Sequence, residues 1–296
     1  MTMSYVISCC STADMTEQHF KARDIHYLCF HFSLDGVNYP DDLGKSVPFE
    51  DFYQAMANGA DTRTSQVNVD EYMAYFRSFL EEGKDILHVA FSSGLSGACN
   101  SARIAREELL TCYPERQIYI VDSLSASSGY GLLMDRLADL RDEGMGLAEL
   151  AQWAEDHKLN VNHWFYSTDL SFYVKGGRIS KASGWFGTAL KICPLLNMNN
   201  EGKLCPRFKV RGKNAVMHRL VEQMVACAED GKNYSGKCYL SHSGCAEDAA
   251  QVVKLVEEAF PQLTGKIETY YIGTTIGSHT GPGTVALFFW GEKRGA

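Results

Sequence analysis

Apolar and polar positions change period repeatedly along this chain, and each change marks an element. Residues 5–8 and 25–33 are apolar runs of strand type, the second passing through Asp35-Gly36 into a hairpin. Residues 49–57 and 69–82 follow a period near 3.6 and predict amphipathic helices, with a polar turn, Asp61-Thr62-Arg63-Thr64-Ser65-Gln66, between them. Residues 86–91 form an apolar run of the kind buried on both faces of a parallel sheet. Ala98, Ala102, Ala105 and Leu109 then take a helical stripe. Further on, 117–122 and 161–167 predict strands, with helices at 129–141 and 147–157 between them. In the last third, 190–197, 237–241, 267–272 and 285–290 read as strands, and 248–260 as a helix; Val216, Leu220 and Met224 share one face of another.

Strands alternating with helices predict an α/β fold. The expected architecture has two domains. Residues 1–160 form an N-terminal doubly wound, mainly parallel sheet with helices on both faces, and 161–296 a smaller α/β domain with a mixed sheet. Ligands of such sheets gather beyond the carboxyl ends of the strands, so the loops carrying Thr64, Ser93 and Ser125 are placed to share one crevice.

The most informative loop is Ser92-Ser93-Gly94-Leu95-Ser96-Gly97, between a buried strand and a helix. Such a turn is expected to leave backbone N–H groups free at a positive helix end, which suits a carboxylate or a phosphate. Ser96 alone would serve as a helix cap; three serines and two glycines are more than a cap requires. The loop lacks the G-x-S-x-G spacing of a nucleophile elbow and the Lys of a P-loop. Gly44-Lys45-Ser46 lacks the upstream Gly of a Walker motif, since Tyr39 stands there.

A net charge of −8 with no basic tract argues against nucleic acid, and no apolar run is long enough to span a membrane. The N-terminus lacks a basic leader region, and ten scattered cysteines without a C-x-x-C pair suit a reducing cytoplasm. His26-x-x-Cys29-x-His31 and His242-x-x-Cys245 are too isolated to predict a metal site, and none is expected. Gly281-x-Gly283-x-x-Ala286 mimics a dinucleotide fingerprint but precedes its strand instead of following one.

Six segments together resemble the DegV family: Thr64-Ser65-Gln66, residues 91–97, Val121-Asp122-Ser123, Lys175-Gly176-Gly177-Arg178-Ile179-Ser180, Lys209-Val210-Arg211-Gly212, and His279-x-Gly281-Pro282-Gly283. They occur in the family's order across nearly the whole chain. The resemblance implies a bacterial, cytoplasmic fatty-acid-binding protein, the acyl-carrying subunit of fatty acid kinase, with one long-chain fatty acid buried between two domains. It implies that Thr64, the Ser92-Ser93 pair and His279 hold the carboxylate, with Ser65 and Gly94 in the same loops. A separate ATP-binding kinase subunit would then phosphorylate the acid to an acyl phosphate, with Arg178 and Arg211 touching that partner or the new phosphate. No cofactor is implied beyond the bound fatty acid. The chain departs from the family pattern at Cys10, where an Asp is usual, and at Val67, where a Pro is usual.

Two other functions fit the same residues. One is a Ser/His hydrolase using Ser93 or Ser96 with His279 on a lipid ester. The other is a carrier or sensor of a different anionic lipid with no kinase partner.

Overall fold

The computed structural model describes residues 5–180 and 192–296. The start of the expected 190–197 strand lies outside the described residues. The first sheet is parallel, in the order β2-β1-β6-β7, from Tyr5–Cys10 (β1), Ile25–Leu28 (β2), Asp85–Ala90 (β6) and Ile118–Asp122 (β7). Strand order reverses between β1 and β6, so the loops after these two strands open a crevice there.

The apolar run at 25–33 is two strands. Only β2 joins the parallel sheet. His31–Leu34 (β3) pairs antiparallel with Val37–Pro40 (β4) and with Thr62–Ser65 (β5) in a separate three-stranded sheet. The segment read as a polar turn therefore contains a strand, and Thr64 stands opposite Phe32 in its ladder. β-Branched threonines and a free neighbouring edge favour this pairing.

The larger sheet runs β10-β9-β8-β13-β11-β12. It uses Val161–Ser167 (β8), Ile192–Met198 (β9), Leu204–Arg211 (β10), Cys238–His242 (β11), Glu268–Tyr271 (β12) and Thr284–Trp290 (β13). Only β11 and β12 are parallel, so the sheet is mixed, as the sequence predicts.

The helix Ser127–Asp142 (α5) lies between the two sheets, packing on β1 from one side and on β8, β11 and β13 from the other. It is buried on nearly every face, as an interior helix must be. Its N-terminal small residues let the larger sheet come close: a Cβ on Gly129 would sit 2.4 Å from His163 Nε2. Charge reinforces the junction. The Asp135 carboxylate is 4% exposed and meets Arg23 Nε at 2.9 Å, Lys237 Nζ at 2.5 Å and the Tyr239 hydroxyl at 2.8 Å. Against the opposing cost of burial, His19, Lys237 and Tyr239 hold Asp135 below the usual carboxylate range, and Asp135 and Glu268 raise His19 to about 9 despite its burial.

Val69–Glu81 (α3) and Ala98–Cys112 (α4) pack together along β6, and Leu147–His157 (α6) covers β6 and β7 with α5. Besides Glu17–Ala22 (α1), two short helices near the cavity escape the sequence pattern. Ser171–Lys175 (α7) precedes the Gly176-Gly177 turn, and Thr274–Thr280 (α10) carries His279. Thr, Ile and Gly are poor helix formers, so α10 depends on packing against α7, β3, β5 and Phe49–Ala57 (α2). Glu17–Ala22 (α1), Lys213–Cys227 (α8) and Ala246–Ala259 (α9) complete the helices used below.

Candidate functional site

A cavity of about 380 Å³ opens between the sheets, within the size range of small-molecule sites. Its floor comes from inward-facing residues of β8 and β13, where Phe165 stands opposite Ala286 and His163 opposite Phe288. Phe30, Phe91 and Tyr173 add aromatic walls. Most of the exposed lining surface is apolar, and Thr64, Arg178 and His279 meet at one end, while Ser127, His163, Thr275, Thr280 and Thr284 also line the cavity.

That end is built by β5, α10 and the turn after α7. Thr64 Oγ1 and His279 Nε2 are 2.8 Å apart. Arg178 gives hydrogen bonds to the carbonyls of Gly176 at 2.6 Å and Leu95 at 3.1 Å, and Nη1 lies 3.5 Å from His279 Nδ1. Arginine can only donate, so Nδ1 accepts and the imidazole proton sits on Nε2, directed at Thr64. The Thr64 hydroxyl is then left with its own hydrogen to give into the cavity. Burial and the nearby guanidinium push His279 down to about 4, which keeps the ring neutral at physiological pH. Among the described residues Arg178 has no carboxylate partner. An anion entering here meets an uncompensated cation, a hydroxyl donor and a neutral imidazole.

Gly176 makes the arrangement possible. A Cβ at this position would lie 2.2 Å from His279 Nδ1, so any other residue would displace the ring.

The Ser92–Gly97 loop behaves differently from its sequence reading. Its amides from Ser92 to Ser96 are not free. Those of Ser93 and Gly94 donate to Asp122 Oδ1 and Ser92 Oγ, those of Leu95 and Ser96 to the Ser92 carbonyl, and that of Ala98 to Ser96 Oγ. The Ser92 hydroxyl is buried and donates to the Gly202 carbonyl at 2.8 Å, which ties the loop to the turn between β9 and β10. Ser93 faces solvent, and neither it, Ser92 nor Gly94 lines the cavity. The loop supplies Leu95 and Ser96 instead. The Ser96 hydroxyl donates to Gln66 Oε1 at 3.1 Å, and Ser65 and Gln66 join the same rim.

A family model described as "Uncharacterised protein, DegV family" matches residues 7–292. The chain belongs to the DegV family. A DegV domain-containing protein of Clostridium perfringens is 35% identical to it over 290 residues, 98% of each chain. A solved DegV lipid binding protein of Thermotoga maritima is 25% identical, with a TM-score of 0.83, covering 99% of this chain and 100% of the other. The Fatty Acid Kinase (Fak) B3 protein of Streptococcus pneumoniae, solved loaded with linoleic acid, shares the fold at 21% identity. Its TM-score is 0.82, with 98% of this chain and 100% of the other covered.

In this DegV chain the family segments converge unevenly. Thr64, Ser65, Ser96, Arg178 and His279 all line one cavity. Val121-Asp122-Ser123 acts behind it, where Asp122 fixes the serine loop. Arg211 is exposed at the end of β10 and does not line the cavity. Cys10 and Val67, the two departures, are buried and also stay out of the lining. Ser96 and Gln66 belong to motifs visible in the sequence, but nothing there says which serine of the loop faces inward; the register of α4 decides that. No group of three or more His, Cys, Asp or Glu placed to hold a metal occurs among the described residues, and none of the described helices is long and apolar enough to cross a membrane.

Proposed function

We propose that this protein binds a long-chain fatty acid, with the carboxylate at Thr64, Arg178 and His279 and the acyl chain along β8 and β13. The observation that carries the reading is a cavity whose exposed lining is mostly apolar and which holds a cluster of Thr64, His279 and the carboxylate-free Arg178. Burying about fifteen methylenes offers on the order of 12 kcal/mol before the costs of association. The head group needs partners, or its burial would cost several kcal/mol. The Thr64 hydroxyl, oriented by the His279 N–H, and the Arg178 charge supply them, with Ser65 and Ser96 at the rim. The lipid-binding relative from Thermotoga maritima and the linoleate-loaded structure from Streptococcus pneumoniae support the same ligand class.

The protein is a substrate-presenting subunit without chemistry of its own. In a Ser–His–acid triad a carboxylate orients the second imidazole nitrogen. Here that nitrogen faces the Arg178 guanidinium, which would oppose the imidazolium a hydrolase must form. The phosphoryl donor belongs to a separate ATP-binding kinase subunit, as the kinase-named relative supports. Exposed Arg211 suits contact with an acidic partner, whereas Arg178 is placed for the carboxylate or the phosphate made from it.

The test is organic extraction and mass spectrometry of protein purified from a bacterial host, followed by phosphorylation with the cognate kinase. About one fatty acid per chain and acyl phosphate formed only with the kinase are expected. Folded protein without acyl lipid refutes the binding reading, and ester hydrolysis abolished by Ser96→Ala would favour the hydrolase.

A further inference from the structure

Two carboxylates outside the cavity remain without a role. Asp14 follows β1 and Asp41 follows β4, and they are 4% and 1% exposed. Both are directed at the start of α10, from the far end of the sequence. Asp41 Oδ1 accepts from the Thr274 hydroxyl at 2.8 Å and Oδ2 from the Ser11 hydroxyl at 3.3 Å, and the Thr275 amide points at the same carboxylate. Asp14 Oδ2 accepts from the Ser127 hydroxyl at 2.5 Å, and the Gly273 amide points at Asp14. Asp14 Oδ1 is buried against Gly273 without a hydrogen-bond partner, and a Cβ on Gly273 would come within 2.5 Å of it.

The N-cap of α10 is Gly273, which has no side chain to close the first turn. A helix start without a cap leaves orphan N–H groups, and negative charge at that end is favourable. The donors that surround Asp14 and Asp41 are therefore those of a cap supplied from two remote loops. Because α10 has only seven residues, fixing its first turn fixes His279 in its last. The other end is held separately: Gly281 lies against the Phe172 ring and His279 against Gly176.

We propose that Asp14 and Asp41 are positioning residues, which cap α10 across the two halves of the chain and thereby hold His279 over Thr64. The inference rests on the carboxylate-site reading above. Burial raises both carboxyl groups above their ordinary range, Asp14 further because Asp41 is beside it. A proton on either acid is compatible with capping, since an acid carbonyl also accepts. Carboxylates that merely filled space would show no preference for the ligand's head group.

The experiment compares hexadecanoate with methyl hexadecanoate on delipidated full-length protein, in wild type, Asp41→Ala, Asp41→Asn and Gly273→Ala. The ester fills the acyl trough but cannot accept as an anion. Wild type is expected to favour the acid. Asp41→Ala should lose about tenfold of that preference, with ester affinity nearly unchanged. Asp41→Asn keeps an acceptor for Thr274 and should retain most of it, whereas Gly273→Ala, which pushes on Asp14, should behave like Asp41→Ala. Acid and ester affinities that fall together, or equal losses in Asp41→Ala and Asp41→Asn, overturn the proposal. If wild type binds neither probe, the fatty-acid reading fails, and the His279 ring ¹⁵N shifts decide the positioning claim. They move in Asp41→Ala if α10 is set by this cap, and unchanged shifts refute it.

Discussion

Replacing Gly176 by alanine tests the head-group site with a single carbon atom. Gly176 has φ −75° and ψ −9°, a conformation alanine adopts freely, so the backbone itself is not strained. The added Cβ would stand 2.2 Å from His279 Nδ1, whereas ordinary contact begins at 3.4 Å, so the ring must retreat by at least 1.2 Å. Both hydrogen bonds of the imidazole are then compromised: the 2.8 Å contact with Thr64 and the longer one from Arg178. Leaving the carboxylate short of one partner costs roughly 1–3 kcal/mol, about 5- to 150-fold in affinity. The apolar trough is untouched, so the ligand should bind more weakly without being lost. Hexadecanoate titration by calorimetry reads the effect, and a melting curve confirms that the variant is folded. Gly177→Ala is the control. That residue has φ +72° and nothing within 4 Å of its Cβ, so it should cost about 1–2 kcal/mol of stability and leave affinity intact. Wild-type affinity in Gly176→Ala would refute the placement of His279 at the carboxylate.

Other expectations follow from the same geometry. Ser92→Ala should lower stability by about 1 kcal/mol through the lost bond to Gly202, with affinity unchanged, whereas Ser96→Ala should lower affinity; denaturant titration and ligand binding separate the two. Asp135→Ala leaves Arg23 and Lys237 without their buried partner and should destabilise by about 3–5 kcal/mol, seen as a lower urea midpoint; a loss below 1 kcal/mol would show that the network is dispensable. His279 is held at about 4 in the folded chain against an ordinary 6.5, so between these values the unfolded state binds more protons. Its contribution to stability is present above pH 6.5 and falls as pH drops toward 4. Denaturation of His279→Gln across that window should therefore show a shallower loss than wild type, and parallel curves would contradict the burial assigned to the ring. Arg211→Ala should keep its lipid but form acyl phosphate more slowly with the kinase, more so as salt rises; loss of lipid would invert the assigned roles.

The sequence by itself determined much of the alternation of strands and helices, the parallel first sheet and the bounds of α2, α3, α5, α6 and α9 to within two residues, because hydrophobic period reports which face of each element is buried. It also determined the set of loops, since serines, glycines and a lone histidine stand out against that pattern. Tertiary structure decided how those residues are used. The amides of Ser93 to Ser96 look free in one dimension, yet Asp122 and the loop's own oxygens take them, an outcome set by how β6 and β7 lie side by side. The apolar stretch at 25–33 divides between two sheets because strand partners, not strand propensity, choose the ladder. Helix α10 is invisible in Thr-Thr-Ile-Gly-Ser-His-Thr because its first turn is closed by Asp14 and Asp41, more than two hundred residues away. His279 meets Thr64 for the same reason: neither neighbourhood encodes the contact, and only the packing of α10 on β5 and α7 brings the two side chains together.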